Sequence, residues 1–237
     1  MDFSQITKEY SYKTELHAHS FPVSSCGKFS SDEVVKIYAN AGCDTLTLTN
    51  HLTKQHAVER SVDELVEYYL SDYYKACEAA KELGITVAFG VEIRFARTAN
   101  HYLVYGVCPD DIEKMIPYIH TDIETFYREF KNDKNVILHA HPFRENMEPT
   151  PIDSVDGIET FNTHPGHNSK IAFATKFARD HGFIVSGGSD FHKEGGHATC
   201  LLRTKQKLRN SYDIAEAIKS RDIVFDMSGH IVIPYLY

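Results

Sequence analysis

The chain has 237 residues, 42% of them hydrophobic and 12% aromatic, which is enough apolar material for one large core and excludes a disordered chain. Its 25 Lys and Arg against 33 Asp and Glu leave a net charge of −8, so no basic excess exists to hold a long nucleic-acid duplex by its phosphates. No run approaches the roughly 18 uncharged apolar residues a membrane span needs, and residues 1–10 carry Asp2, Lys8 and Glu9 rather than an apolar leader core, so a soluble, cytoplasmic protein is expected.

Taken in chain order, strands are expected at 13–18, 45–50, 86–93, 101–107, 135–141, 157–162 and 183–189, with weaker ones at 199–203 and 223–225. Longer segments of helical period separate them, which predicts βα units around a parallel sheet in a single domain over 1–237. Helix starts are marked by Ser30-x-x-Glu33, Ser61-x-x-Glu64 and Thr121-x-x-Glu124, each with the form of a capping box. Gly42, Gly84 and Gly182 mark the stops. In the longest helix Val62, Leu65, Val66, Tyr69, Tyr73, Ala76, Cys77 and Ala80 form one apolar face, read as packing rather than a ligand box. The apolar tail, 231–237, is expected either to close the fold or to form an interface. Five cysteines, Cys26, Cys43, Cys77, Cys108 and Cys200, never form a C-x-x-C pair and are read as reduced and mostly buried thiols.

The fourteen histidines stand out. His17 and His19 end the first expected strand, His51 the second, Glu92 lies near the end of the third, His141 ends the fifth, and Asp190 and His192 follow the seventh. In barrel enzymes that end of the strands is the catalytic face. His101, at the start of the fourth strand, breaks the rule. Residues two apart on a strand share a face about 6.6 Å apart, so His17 with His19, and Asp190 with His192, can converge on one ion. Any one of these histidines alone reads as a packed or surface side chain. Burying all of them without a shared partner is costly, which points to a metal cluster. Imidazoles and carboxylates suit zinc, manganese or iron, and a glutamate can bridge two cations about 3.5–4 Å apart. Glu92 is the candidate bridge.

In order along the chain, Glu15-Leu16-His17-Ala18-His19-Ser20, Leu48-Thr49-Asn50-His51, Gly90-Val91-Glu92-Ile93, Ala140-His141-Pro142 and Gly187-Gly188-Ser189-Asp190-Phe191-His192 resemble the motifs of the PHP (polymerase and histidinol phosphatase) superfamily. The resemblance covers about residues 12–200. It implies an α/β fold, a distorted (β/α)7 TIM-like barrel with the metal site at the C-terminal strand ends, and two or three divalent ions. It also implies hydrolysis of phosphoesters, most often small phosphomonoesters, by hydroxide held at the cluster. Carried over, it places His17, His19, Glu92 and Asp190 on one ion, Glu92, His101 and His141 on a second, and His51 and His192 on a third. Three positions depart from the pattern. Glu15 stands for an Asp, Asn50 stands for the Asp before His51, and Ser24, Ser25 and Cys26 occupy a loop that often supplies an Asp or His.

Arg144 and Arg94, each two residues beyond a ligand, are expected to bind phosphate at the rim, since guanidinium forks match its oxygens. His164 and His167 are candidate substrate contacts, and His192 or a loop histidine is a candidate proton donor to the leaving group. His139 is expected to face the same way as His141, as a residue behind the ligands or a polar residue of the barrel interior. His56, His120, His181 and His230 are read as structural. A metal-dependent phosphoesterase acting on a small phosphorylated substrate is the leading expectation. The alternatives are an amidohydrolase, which also places His-x-His on its first barrel strand, and a metal-holding module that binds a partner without turnover.

Overall fold

Every expected strand segment carries a strand in the computed structural model, which describes residues 3–58 and 60–235. The strands are β1 (Tyr12–Ala18), β2 (Thr45–Leu48), β3 (His51–Leu52), β4 (Thr86–Phe89), β5 (Val91–Arg94), β6 (His101–Tyr105), β7 (Val136–His139), β8 (Gly157–Asn162), β9 (Ile184–Gly188), β10 (Cys200–Thr204), β11 (Val224–Met227) and β12 (His230–Val232). The helices are α1 (Phe3–Glu9), α2 (Ser31–Asn40), α3 (Val62–Leu83), α4 (Asp111–Met115), α5 (Ile123–Phe130), α6 (Ile171–Asp180) and α7 (Ser211–Ser220).

The strands form two mixed six-stranded sheets, ordered β12-β11-β10-β1-β2-β4 and β3-β5-β6-β7-β8-β9. This corrects the expected all-parallel arrangement. The β5–β6, β6–β7, β1–β10, β10–β11 and β11–β12 pairs are antiparallel. Residues 95–100 alone join β5 to β6, too few for the crossover that a parallel pair requires. The expected strand at 86–93 is cut at Gly90 into β4 and β5, which belong to different sheets. A Cβ on Gly90 would stand 2.9 Å from Thr49 Cγ2 and 3.0 Å from Thr47 Cγ2, so only glycine lets the chain pass this close to β2. At the other junction β9 meets β1 through an Ala18–Phe191 bridge, with His19 N donating to Phe191 O at 3.1 Å and Phe191 N to His17 O at 3.2 Å.

Leu16, Leu103, Val104, Ile137 and Leu138 are fully buried between the sheets and their helices. The capping boxes at Ser30 and Ser61 form, with Ser61 N donating to Glu64 Oε2 at 2.8 Å and Glu64 N returning to Ser61 Oγ at 3.3 Å. The third does not. Asp122 caps α5 by accepting from Thr125 N at 2.9 Å, while Thr121 Oγ1 turns back to Tyr118 O. The apolar face of α3 differs at two places, since Val62 is exposed and Asp72 is buried. Of the thiols, Cys26 is exposed and only Cys43 and Cys200 are fully buried. In the tail, Tyr235 OH accepts from Val185 N at 2.9 Å, which ties that segment to β9, while 236–237 lie outside the described residues. Among the described residues no helix is long and apolar enough to cross a membrane.

Candidate metal centre

Glu92, on β5, is fully buried and faces five imidazoles, from β1, β3, β6 and the segments that follow β1 and β7. Its Oε1 lies 3.0 Å from His101 Nδ1, 3.2 Å from His141 Nε2 and 3.5 Å from His17 Nε2. Its Oε2 lies 2.7 Å from His51 Nδ1 and 3.3 Å from His19 Nε2. Asp190 Oδ1 completes the inner wall at 3.4 Å from His17 Nε2, His19 Nε2 and His192 Nδ1. His101 joins despite opening its strand. Because β6 runs against β5, its first residue pairs with Arg94 at the end of β5 and so reaches the same face.

Second contacts fix the ring orientations. His17 Nδ1 donates to Glu159 Oε1 at 2.8 Å, and His19 Nδ1 donates to Ser24 Oγ at 3.1 Å, so each ring turns its Nε2 inward and would offer the lone pair there once neutral. Glu159 Oε2 accepts from His141 N at 3.0 Å and Asn162 Nδ2 at 2.9 Å. A register shift after Glu159 brings it and Asn162, three positions apart, to one site. Arg144 Nη2 donates to Asp190 Oδ2 and Asn162 Oδ1, both at 2.5 Å, and Nη1 makes no hydrogen bond among the described residues. His141 and Asp190 both sit at positive φ, 34° and 49°. Such positions cost about 1–3 kcal/mol each and concentrate at functional sites.

The three departures from the motif pattern have structural roles. Glu15 holds backbone rather than a ring. Its Oε1 accepts from His17 N at 2.9 Å and Ser189 N at 3.0 Å, and its Oε2 accepts from Tyr38 OH at 2.8 Å. Asn50 Oδ1 accepts from Ser20 N at 2.8 Å and Ser24 Oγ at 2.9 Å, while its amide nitrogen faces Ser20 Oγ and the buried Asp72. The negative charge absent at position 50 is thus present one layer back. Cys26 lines the cleft beside His51 and His192.

The electrostatics fit a cation site. Burial opposes charge on Glu92, but His101, His51 and His17 hold its carboxyl well below the usual range. Asp190 is lowered likewise, by His17, His19 and Arg144 against burial. Against the same burial, Glu159, Asp190 and Glu92 raise His17 well above an ordinary imidazole, and Glu92 and Cys26 raise His51 to about 10. His192 is raised through Cys26 and Asp190. Burial and the neighbouring charged imidazoles keep His19 lowered. Burial lowers His101 against the pull of Glu92. Burial alone would raise the Cys26 thiol, yet His192 and His51 bring it to about 6. Protons on His17, His51 and His192 therefore supply the positive charge in the absence of ions.

The clearest test of fit is geometric. Glu92 Oε2 and His51 Nδ1 are 2.7 Å apart and both buried, yet neither has a hydrogen-bond partner. An ion that displaced the His51 proton would give both buried atoms the partner they lack. Three groupings have converging ligand atoms: His17, His19 and Glu92; His51, Glu92 and His101; and His19, His51 and His192. Among the described residues these groupings overlap, with Glu92, His19 and His51 each in two of them.

The centre floors a cleft of about 430 Å3 whose rim carries Arg144, His164, His167 and Lys193. Gly166 N donates to His164 Nδ1 at 3.0 Å, which leaves the proton on Nε2. Burial, with His192 and Arg144 nearby, lowers that ring to about 4. Arg94 is not among the residues lining the cleft; its Nε folds onto Thr98 O at 3.2 Å. His139 also differs from expectation. The backbone turns at His141, so His139 does not face as His141 does; it stacks on Tyr102 with ring centres 5.1 Å apart and is a buried polar residue of the interior, as expected of it otherwise. Glu159, Ser24, Asn162 and Lys193 were not anticipated. A lone carboxylate in the middle of an otherwise uncharged strand, 157–162, was the available signal for the first.

No curated protein sequence matches the chain. Among solved structures it is similar to a two-domain protein of Bacteroides vulgatus containing a predicted PHP-like metal-dependent phosphoesterase, with 22% identity and a TM-score of 0.66, covering 91% of this chain and 64% of that one. The chain thus spans somewhat under two thirds of that relative's length. A provisionally assigned metal-dependent phosphoesterase of Bifidobacterium adolescentis is 14% identical over 86% of this chain and 94% of its own, with a TM-score of 0.51. An amidohydrolase of Chromobacterium violaceum, carrying sulfate and no metal, is 18% identical over 93% and 98%, with a TM-score of 0.54. At these identities the likeness is one of fold. The family itself follows from a match of the PHP domain model to residues 15–231, a span that begins at Glu15 and takes in every ligand described above: the chain belongs to the PHP domain family.

Proposed function

We propose that the chain is a metal-dependent phosphoesterase that hydrolyses a small phosphomonoester at a centre of two or three zinc, manganese or iron ions. The observation that carries this reading is Glu92, a buried carboxylate with imidazole nitrogens on both oxygens and no hydrogen-bond partner for Oε2. The donor set fits, with His17, His19, Glu92 and Asp190 around one position, Glu92, His101 and His141 around a second, and His51 and His192 around a third. Bound divalent cations supply Lewis-acid charge that acidifies water and offsets phosphoryl charge.

This chain's own residues do the rest. Arg144 holds Asp190 through Nη2 and offers Nη1 to a phosphoryl oxygen, as His164 offers Nε2–H. His192 Nδ1 donates to Asp190 O at 2.8 Å, so only Nε2 is left, to hold the third ion or, where that position is empty, to carry the proton for the leaving oxygen. With its lowered pKa, His164 is a neutral donor and not an acid. The net charge of −8 favours a small substrate over a long duplex, and unpaired cysteines suit a reducing, cytoplasmic compartment. We read the two sheets as one distorted barrel whose seam is the Ala18–Phe191 bridge.

Elemental analysis of the purified chain, together with phosphate release from a panel of phosphomonoesters after restoring zinc, manganese or iron to chelated protein, tests the reading. Metal-dependent release that His17→Ala abolishes supports it. Bound metal with cleavage of cyclic amides only would move the chain to the amidohydrolase class. Bound metal without any turnover would make it a binding module.

A further inference from the structure

A second cavity, of about 260 Å3, lies beside the metal cleft and shares Arg144 and Met147 with it as lining. Pro142, Phe143, Val155, Ile158, Phe177 and Phe183 give it apolar and aromatic surface, and Arg144, Glu148, Thr150 and Lys170 give it a polar edge. Phe143 and Phe177 stand edge to face at 5.3 Å, and the exposed Phe173 lies 6.1 Å from Phe143. One polar group on the wall is incomplete. His139 is 3% exposed and its Nδ1 is paired with Thr150 Oγ1 at 2.9 Å, but Nε2 is buried without a partner. An unmade hydrogen bond of this kind is unfavourable unless something else completes it. The metal cleft does not use this nitrogen, because His139 faces away from the ions.

We propose that this cavity receives the part of the substrate that carries the phosphate, and that this part is a flat aromatic or heteroaromatic ring with one hydrogen-bonding atom for His139 Nε2. Aromatic and proline walls suit the faces of such a ring, and its polar edge completes the histidine. The assignment rests on the phosphoesterase reading, because a phosphoryl group in the cleft and a ring in the cavity must pass the Arg144 guanidinium that both spaces share. Arg144 then reads the junction of the two parts.

The test compares 1-naphthyl phosphate with glycerol 2-phosphate on the zinc-loaded full chain, and follows imidazole nitrogens by NMR as 1-naphthol is added. Wild type is expected to favour the naphthyl ester by about tenfold or more in kcat/KM, the scale on which filling an apolar pocket discriminates substrates. Val155→Phe fills the cavity from its wall, and His139→Phe removes the nitrogen. Val155→Phe is expected to reduce that preference at least about fivefold, and His139→Phe to abolish the further preference for a quinolyl ester over the naphthyl ester, whose ring lacks a hydrogen-bonding atom, with folding checked by thermal melting. In wild type, 1-naphthol should move the His139 resonance, and in Val155→Phe it should not. A preference near one, with no resonance moved, overturns the proposal. If naphthol moves His139 in wild type alone while no ester is hydrolysed, the ring site stands and the phosphoesterase reading falls.

Discussion

His17 Nδ1 and Glu159 Oε1 lie 2.8 Å apart with both side chains fully buried. The contact decides which nitrogen of His17 faces Glu92 and Asp190. The other oxygen of Glu159 is taken by two donors, His141 N and Asn162 Nδ2. A glutamine at this position must turn its own NH2 toward donors on one side or the other. Glu159→Gln is therefore expected to keep the fold but weaken ion binding by roughly 10–100-fold. Chelator competition measures this, and an unchanged dissociation constant would show that His17 is set by something else.

Gly188 admits no side chain. A Cβ there would stand 2.5 Å from His17 Cβ and 3.1 Å from Glu15 Oε1. Gly188→Ala is expected to cost about 1–3 kcal/mol of stability, since neither neighbour has room to retreat. The urea midpoint reads the loss, and ion affinity should fall with it as His17 is displaced. A midpoint equal to that of wild type would mean that β9 can shift away from β1.

Asn50 Nδ2 lies 3.4 Å from Asp72 Oδ2, where an aspartate would bring two carboxylates together. Asn50→Asp is expected to destabilise the fold by about 1–3 kcal/mol at pH 7.5 and by less at pH 5, because a shared proton relieves the repulsion. Adding Asp72→Asn should restore most of the loss. Equal losses at both pH values, or no recovery in the double variant, would count against a charge clash.

In the ion-free protein two sets of groups act in opposite directions. Glu92 and Asp190 are depressed, so their contribution is present above about pH 4 and is lost as pH falls through the folded values. His17, His192 and His51, the last raised to about 10, contribute fully below the unfolded value of about 6.5, and that contribution is lost as pH rises through the folded values. Above about pH 7.5 only the raised set still titrates. Ion-free protein is expected to lose stability from there to pH 10, while ion-loaded protein, whose imidazole protons have been expelled, is not. Calorimetry in buffers of different ionisation enthalpy counts those protons. Binding that releases none would reject the ligand assignment.

Arg144 is asked to orient Asp190 and meet phosphate at once. Lysine keeps the charge but cannot span Asp190 and Asn162 while leaving a second arm free. Phosphate release by Arg144→Lys is expected to fall by about 10²–10³ in kcat. A loss confined to KM would limit the arginine to ground-state binding.

What the sequence made legible was position along each strand. His17, His19, Glu92, His141, Asp190 and His192 all lie at or near strand ends, and the fold needs little more than strand order to bring them together. Direction was less legible. His101 looked misplaced only because β6 was taken to run parallel to its neighbours, and Arg94 looked like a rim residue because nothing in its spacing shows that it bonds Thr98. His139 misled through the period-two rule, which the turn at His141 breaks. Glu159 needed knowledge of a register shift, and such shifts arise from packing between strands rather than from either strand alone.

The candidate ligands come from both sheets. His17 lies on β1 in one, while His51, Glu92 and His101 lie on β3, β5 and β6 in the other. An ion held among them is a clasp across the crease where the halves of the molecule meet, and it grips residues far apart in the chain. Taking it away leaves more than an idle pocket, because it loosens a joint otherwise tied by the Ala18–Phe191 bridge, the His17–Glu159 pair, the Tyr105 OH–Leu16 O bond and the apolar core the sheets share. Whatever binds the folded form alone strengthens it, so loading the centre and closing the fold are one equilibrium seen from two sides.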